Sequence, residues 1–174
     1  MSKKNASNII SGANIYLDGK NFIGKAEEVK LPDIATVVQE HKALGRIGKV
    51  ELPYGFDKME GEIKWNGLYP EAAKMVANPF KVYQLQLRAS VVRYSGTSRQ
   101  SEVPLVVTLN VNFKKSPLGT FKHLEAPDLN SEYGCTYVKM MFDGEEILEL
   151  DVINNIFRVD GQDMLADYNA NIGG

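Results

Sequence analysis

The chain has a single cysteine, Cys135, in 174 residues. A lone thiol excludes an internal disulfide, so the expected setting is a reducing compartment and the expected support is a hydrophobic core. Cys135 reads as a small thiol at a strand start. Histidine is nearly as scarce, with only His41 and His123. Each sits beside a lysine in a loop-like stretch, without a second His or Cys at ligand spacing. A metal centre needs three or four convergent donors, so none is expected. No "GxSxG" occurs, and Cys135 has no histidine next to it in sequence to act as an oriented base. No run approaches the ~18 apolar residues of a spanning helix. The opening "MSKKNASNIISGANIYLDG" holds two lysines but no apolar core of a signal peptide. The expectation is a protein made in cytoplasm, without membrane insertion, cofactor or enzymatic activity.

What is present is ordinary in amount and uneven in placement. Apolar residues make up 44% and charged residues 24%, in the soluble range. A chain of this length fits one domain that buries roughly 70% of its unfolded surface. Net charge is −2, which gives no strong pull toward nucleic acid or acidic membranes. Residues 1–100 hold 15 basic against 10 acidic residues, and residues 101–174 hold 5 against 12. That asymmetry suits head-to-tail association of identical copies, or simple scatter over two solvated surfaces.

Period-two alternation dominates the chain. In "VPLVVTLNVNF", Leu105, Val107, Leu109, Val111 and Phe113 alternate with Val106, Thr108, Asn110 and Asn112. In "VYQLQLRASVVRY", Tyr83, Leu85, Leu87, Ala89 and Val91 oppose Gln84, Gln86, Arg88 and Ser90. The polar turn "SGTSRQSE" joins them into a hairpin with arms of about 11 residues, long against the usual ~5–6. "DKMEGEIKWNG" places Met59, Gly61, Ile63 and Trp65 on one face, with Trp65 as a core anchor. Asp-Gly pairs at 18–19, 143–144 and 160–161 mark hairpin turns. "YPEAAKMVANP" reads as a helix, with Pro70 at its first position, Glu71 on the N-terminal dipole and Asn78-Pro79 ending it. Ala73, Val76 and Ala77 would form its apolar stripe. "DMLADYNANIGG" is compatible with a second, terminal helix. Residues 1–12 are polar and read as a flexible arm preceding a single domain over 13–174. The fold class is mainly β: a sandwich or partly open barrel with one short α-helix and a long β-hairpin.

Two stretches stand out against this pattern. "ALGRIG", residues 43–48, sits in a segment without firm period and reads as a projecting loop, a kind that is often functional. The acidic group Glu145, Glu146, Glu149 and Asp151 lacks the order of a calcium loop. In a strand, Glu149 and Asp151 share one face, expected to be solvated or turned to a neighbouring subunit. The long hairpin is itself unusual, because its polar face consists of Gln, Ser, Thr and Asn. Long exposed rims invite edge pairing, and a closed ring of copies would remove every free rim while its polar faces lined a hole.

"NIYLDGKNFIGKAEEVKLPDI" (14–34) and "YVKMMFDGEEILELDVINNIFRVDGQDMLADYNANIGG" (137–174) carry a resemblance. They resemble the opening and close of the major tail tube protein family of contractile-tailed bacteriophages, shared with R-type pyocins. The middle agrees in order: a Gly-bearing loop, "DKMEGEIKWNG", a helix and the paired long strands. Leu44-Gly45-Arg46-Ile47-Gly48 stands where the family usually carries consecutive glycines before a Met.

The resemblance implies a structural subunit with a type VI secretion tube-like fold. It implies stacked hexameric rings, a surrounding tail sheath protein, a tape-measure protein, baseplate or initiator proteins, and transient passage of DNA, in a virion assembled in the bacterial host. DNA must slide, so a lumen should avoid dense cations that grip phosphate. The expected lumen residues are Gln84, Gln86, Arg88, Ser90, Thr108, Asn110 and Asn112, with Arg88 the exception to neutrality. The expected ring-stacking loop is Leu44, Gly45, Arg46, Ile47 and Gly48. The alternatives are a monomeric β-sandwich module that binds carbohydrate or protein near Trp65 or Tyr94, and a hydrolase that pairs Cys135 with His123.

Overall fold

The computed structural model describes residues 6–174. The chain turns back on itself wherever Asp-Gly occurs. Asp18-Gly19, Asp143-Gly144 and Asp160-Gly161 all have positive φ at both residues, the geometry that matches the twist of two joined strands. The first of these turns joins β1 (Ala6–Leu17) to β2 (Lys20–Asn21). The second joins β9 (Leu129–Phe142) to β10 (Glu145–Asp151), and the third joins β11 (Ile156–Val159) to β12 (Gln162–Asp163).

The long hairpin forms as β7 (Tyr83–Ser95) and β8 (Ser98–Lys115), closed by Gly96-Thr97. Both arms exceed the expected length, because the polar "SGTSRQSE" stretch is itself mostly strand. One antiparallel sheet runs β12-β11-β10-β9-β8-β7-β1-β2. Its register explains its two faces. A single row across six strands reads Leu17, Leu85, Leu109, Val138, Leu150 and Phe157. The first five of these are 5% exposed or less.

A second leaf covers that apolar face. β3 (Ala26–Lys30) pairs with β6 (Met59–Trp65), and β6 pairs with the first half of β9, from Cys135 back to Leu129. Tyr133 is opposite Gly61 on one side and Phe113 on the other. Tyr137 is likewise between Asn110 and Asp151. So β6 and β10 share one edge of β9, and the sheet forks there. Met59, Ile63 and Trp65 of β6 join Leu85, Leu109 and Phe113 in one buried cluster. Helix α1 (Pro70–Val76) closes one end of it with Ala72, Met75 and Val76. The stripe is one position off the expected set: Val76 is buried, Ala73 half-buried and Ala77 exposed. The larger Met75 takes the core position. Between β3 and β1 a groove remains open, so the molecule is an open sandwich.

Three expectations need correction, and the projecting loop at "ALGRIG" gains two strands as arms. Residues 6–12 belong to β1, not to a flexible arm. β1 pairs with β7 from Ala6–Ser95 to Leu17–Leu85, with one irregularity between Ile10 and Gly12. Main-chain bonds along β7 hold this segment despite its polar side chains; residues 1–5 of the expected arm lie outside the described residues. The segment around "ALGRIG" is the tip of a two-stranded hairpin, β4 (Thr36–His41) with β5 (Val50–Phe56). Its arms show no strand period because neither face is buried. The rims of the β7–β8 hairpin are not its own to offer. β1 covers β7, and β9 covers β8 from Leu105 onward. Open rims lie farther out, along Ala6–Asn14 of β1, at β12, at Ser98–Pro104 of β8 and along the outer edge of β3. Cys135 lies in mid-strand in β9. Beyond α1, a second helix, α2 (Ala166–Ile172), closes the chain with no buried residue.

Candidate functional site

One residue along from the apolar row, the register brings Tyr16, Gln86, Thr108, Lys139, Glu149 and Arg158 into line on the opposite face. The flanking rows place Gln84 opposite Asn110, Arg88 opposite Val106 and Ser90 opposite Pro104. Asn112 extends the same face along β8. All seven residues expected to line a lumen therefore share one side of the sheet, alternating with buried neighbours in β7 and β8.

Arg88 is less free than its sequence position implies. Its Nε donates to Gln86 Oε1 at 3.0 Å. Its guanidinium lies over the Tyr16 ring, 5.6 Å from the centroid, where the ring face attracts a cation. Both contacts hold the charge against the sheet.

Toward β10 and β11 this face carries charges that sequence reasoning did not connect. Glu149, expected to be solvated or subunit-facing, is only 9% exposed. It accepts from the Tyr137 hydroxyl at 2.9 Å and from Arg158 at 3.2 Å. Lys139 sits 4.0 Å from Glu149 and 3.1 Å from Glu146. A bulge between Glu146 and Leu148 makes this possible, since it turns Glu146 to the polar face while Leu148 packs on the core. Burial, aided by the bond to Glu149, pushes the Tyr137 hydroxyl up to about 12. The strand period puts Glu149 and Asp151 on one face, but the bulge that adds Glu146 to it has no sequence signal.

The β4–β5 hairpin stands apart as its own two-stranded sheet. It is rooted by Phe56, whose ring meets Phe157 edge-on at 4.8 Å, and by the Asp57 amide donating to Ala35 O at 2.8 Å. Leu44, Gly45, Arg46, Ile47 and Gly48 form the tip, and Leu44 and Ile47 are fully exposed. Glu40 at its base pairs with Lys49 at 3.1 Å and Lys42 at 3.8 Å.

Of the groups weighed for other chemistry, Trp65 and Cys135 are spent on structure, while His123 is exposed and Tyr94 half-buried. Trp65 is 5% exposed and donates its indole N–H to Ser131 Oγ at 2.9 Å. Cys135 is 8% exposed in the core, and burial pushes its thiol up to about 11, so it is protonated at neutral pH. Among the described residues, no three His, Cys, Asp or Glu gather to hold a metal ion, and no helix is long and apolar enough to cross a membrane.

A family model described as phage tail tube protein FII matches residues 7–173. The chain belongs to that family. It is a structural tail tube protein of contractile systems. It is 25% identical over 169 residues to the tail tube protein of Escherichia phage P2, covering 92% of this chain and 94% of that one. It is 25% identical over 158 residues to the major tail tube protein of Serratia phage KSP20, covering 88% of each. A chain in the cryo-EM structure of an extracellular contractile injection system, the PVC sheath/tube terminator in its extended state, has a TM-score of 0.56. At 11% identity, over 75% of this chain and 94% of that one, it supports the fold alone. The expected fold class holds: this tail tube protein is mainly β, with open sheets.

Proposed function

We propose that this tail tube protein forms hexameric rings that stack into a hollow tube, with the polar face of its large sheet lining the bore. The observation that carries the reading is the pair of adjacent rows. One is apolar across six strands, and the next is polar across the same six. A sheet whose second face is amide, hydroxyl and matched charge suits a water-filled channel. The rims left open in the single chain are long enough to pair with neighbours, and pairing in a ring removes them. The bore then carries DNA past Gln84, Gln86, Ser90, Thr108, Asn110 and Asn112, which offer no charge to grip phosphate. Arg88, held by Gln86 and Tyr16, is restrained from reaching into it. The β4–β5 hairpin reaches from one ring to the next. A sheath protein surrounds the tube, a tape-measure protein sets its length, baseplate proteins start it, and the assembled tail is part of a virion completed in the host cytoplasm. The subunit does no catalysis.

Electron microscopy of the purified protein at rising concentration, with and without baseplate initiators, tests this. The expected result is sixfold rings and tubes. Monomers under every condition would overturn it and favour a binding module.

A further inference from the structure

The hairpin and helix α1 are rooted at opposite ends of β6. β5 enters β6 at Met59, opposite Cys135, and α1 follows from Trp65, opposite Leu129. β6 has seven residues, so the two roots are roughly 20 Å apart. The loop 116–128 lies at the α1 end, because it joins Lys115, which is paired with Glu132, to Leu129. The hairpin tip does not touch that end of its own molecule, since Leu44 and Ile47 are fully exposed, and the contact is left to another copy.

The α1 end is built to receive something apolar. A cleft between α1 and Pro117 is lined by Trp65, Leu68, Tyr69 and Leu129. Beside it the loop presents Leu118, Phe121 and Leu124, which are 88%, 72% and 94% exposed. The loop is pressed onto the body at Gly119, whose φ is +93° and where an added Cβ would stand 3.0 Å from Leu129. Three large apolar side chains are thus displayed on an anchored segment. Scattered exposed leucines need no explanation, but a contiguous group on one end of a molecule marks a contact.

Charge favours the same match. Between His41 and Val50 the tip has Lys42, Arg46 and Lys49 and no acid, whereas the loop has Glu125 and Asp128 against Lys122. Among the described residues, Arg46 and Asp128 stand in none of the ion pairs.

We propose that the hairpin tip of one copy seats Leu44 and Ile47 on the surface formed by α1 and the 116–128 loop of a second copy in the next ring, with Arg46 meeting Asp128. This rests on the stacked-ring reading and names the surface that receives the hairpin. Two unlike patches at opposite ends make a heterologous contact, which propagates as a stack instead of closing as a dimer.

The test uses the full chain carrying Leu44→Cys and Leu118→Cys, with Cys135 buried and quiet. On mild oxidation, assembled tubes are expected to give ladders of covalent multimers, and unassembled subunits none. In a second set, Arg46→Asp should leave rings but abolish tubes, and adding Asp128→Arg should restore them. Tubes that form without the 44–118 cross-link, together with failure of the charge swap to rescue stacking, would overturn the proposed surface while leaving rings intact. A wild-type chain that never forms rings would instead sink the stacked-ring reading itself, and this proposal with it.

Discussion

Tyr133 lies across β6 at the one place where β6 has no side chain, Gly61. The two residues are register partners. The Tyr133 hydroxyl passes over Gly61 to donate to Lys30 O, in β3, at 2.9 Å. A Cβ at position 61 would overlap both the ring and that carbonyl. The buried tyrosine thus ties three strands together, and the glycine is the gap that admits it. Gly61→Ala is expected to destabilise the unassembled subunit by about 1–3 kcal/mol, as overpacking does. Urea unfolding checks it, and an unchanged midpoint would show that the strands shift freely.

Alkaline pH should loosen the β9–β10–β11 corner. Burial and the bond to Glu149 raise the Tyr137 hydroxyl from its ordinary 10 to about 12. A group that holds its proton more tightly when folded stabilises the fold below its unfolded value, and that contribution is lost as pH rises from about 10 to about 12. Tyr133 adds in the same direction, because burial raises it too. Melting temperatures across that window should fall less steeply for Tyr137→Phe than for the wild type. Identical slopes would contradict the assignment.

Glu149 should matter more than a surface acid. Glu149→Ala strands Arg158 and the Tyr137 hydroxyl together, at an expected cost of about 1–3 kcal/mol, below the figure for a fully buried pair because Arg158 and Lys139 remain partly exposed. Glu145→Ala, on an exposed neighbour, should fall within about 0.5 kcal/mol of the wild type. Thermal or urea unfolding of both variants distinguishes them.

Removing residues 1–12 should do more than shorten a tail. It would strip β1 from Ser90–Ser95 of β7 and expose a fresh rim. Hydrogen exchange is expected to show lost protection at Val92, whose N–H faces β1, while Val91, bonded toward β8, serves as the control. Unchanged protection at Val92 would restore the view of residues 1–12 as an arm.

Much of this was legible because two-residue alternation survives wherever one face is buried. The faces of β6, β7 and β8, the three Asp-Gly turns and the start of α1 follow from side-chain pattern and turn chemistry alone. What stayed hidden lacks such a signal. The arms of the β4–β5 hairpin bury neither face, so Val37 and Val38 alternate with nothing. β1 is held through main-chain pairing, which leaves no mark on composition. The Glu149 cluster depends on a one-residue bulge at Ile147, and the α1 face was missed by one position because Met75, not Ala73, takes the core site. The seven residues placed on the polar face were readable as a set. Their neighbours Lys139 and Arg158 were not, since they come from strands far along the chain.

The most direct test of the bore is a cryo-EM reconstruction of assembled tubes. The account predicts Gln84, Gln86, Thr108 and Asn110 facing the axis, with the β1 rim hydrogen-bonded to an adjacent copy. A map with α1 and the β3–β6 leaf facing the axis, and the Gln86–Thr108 row outward, would contradict it.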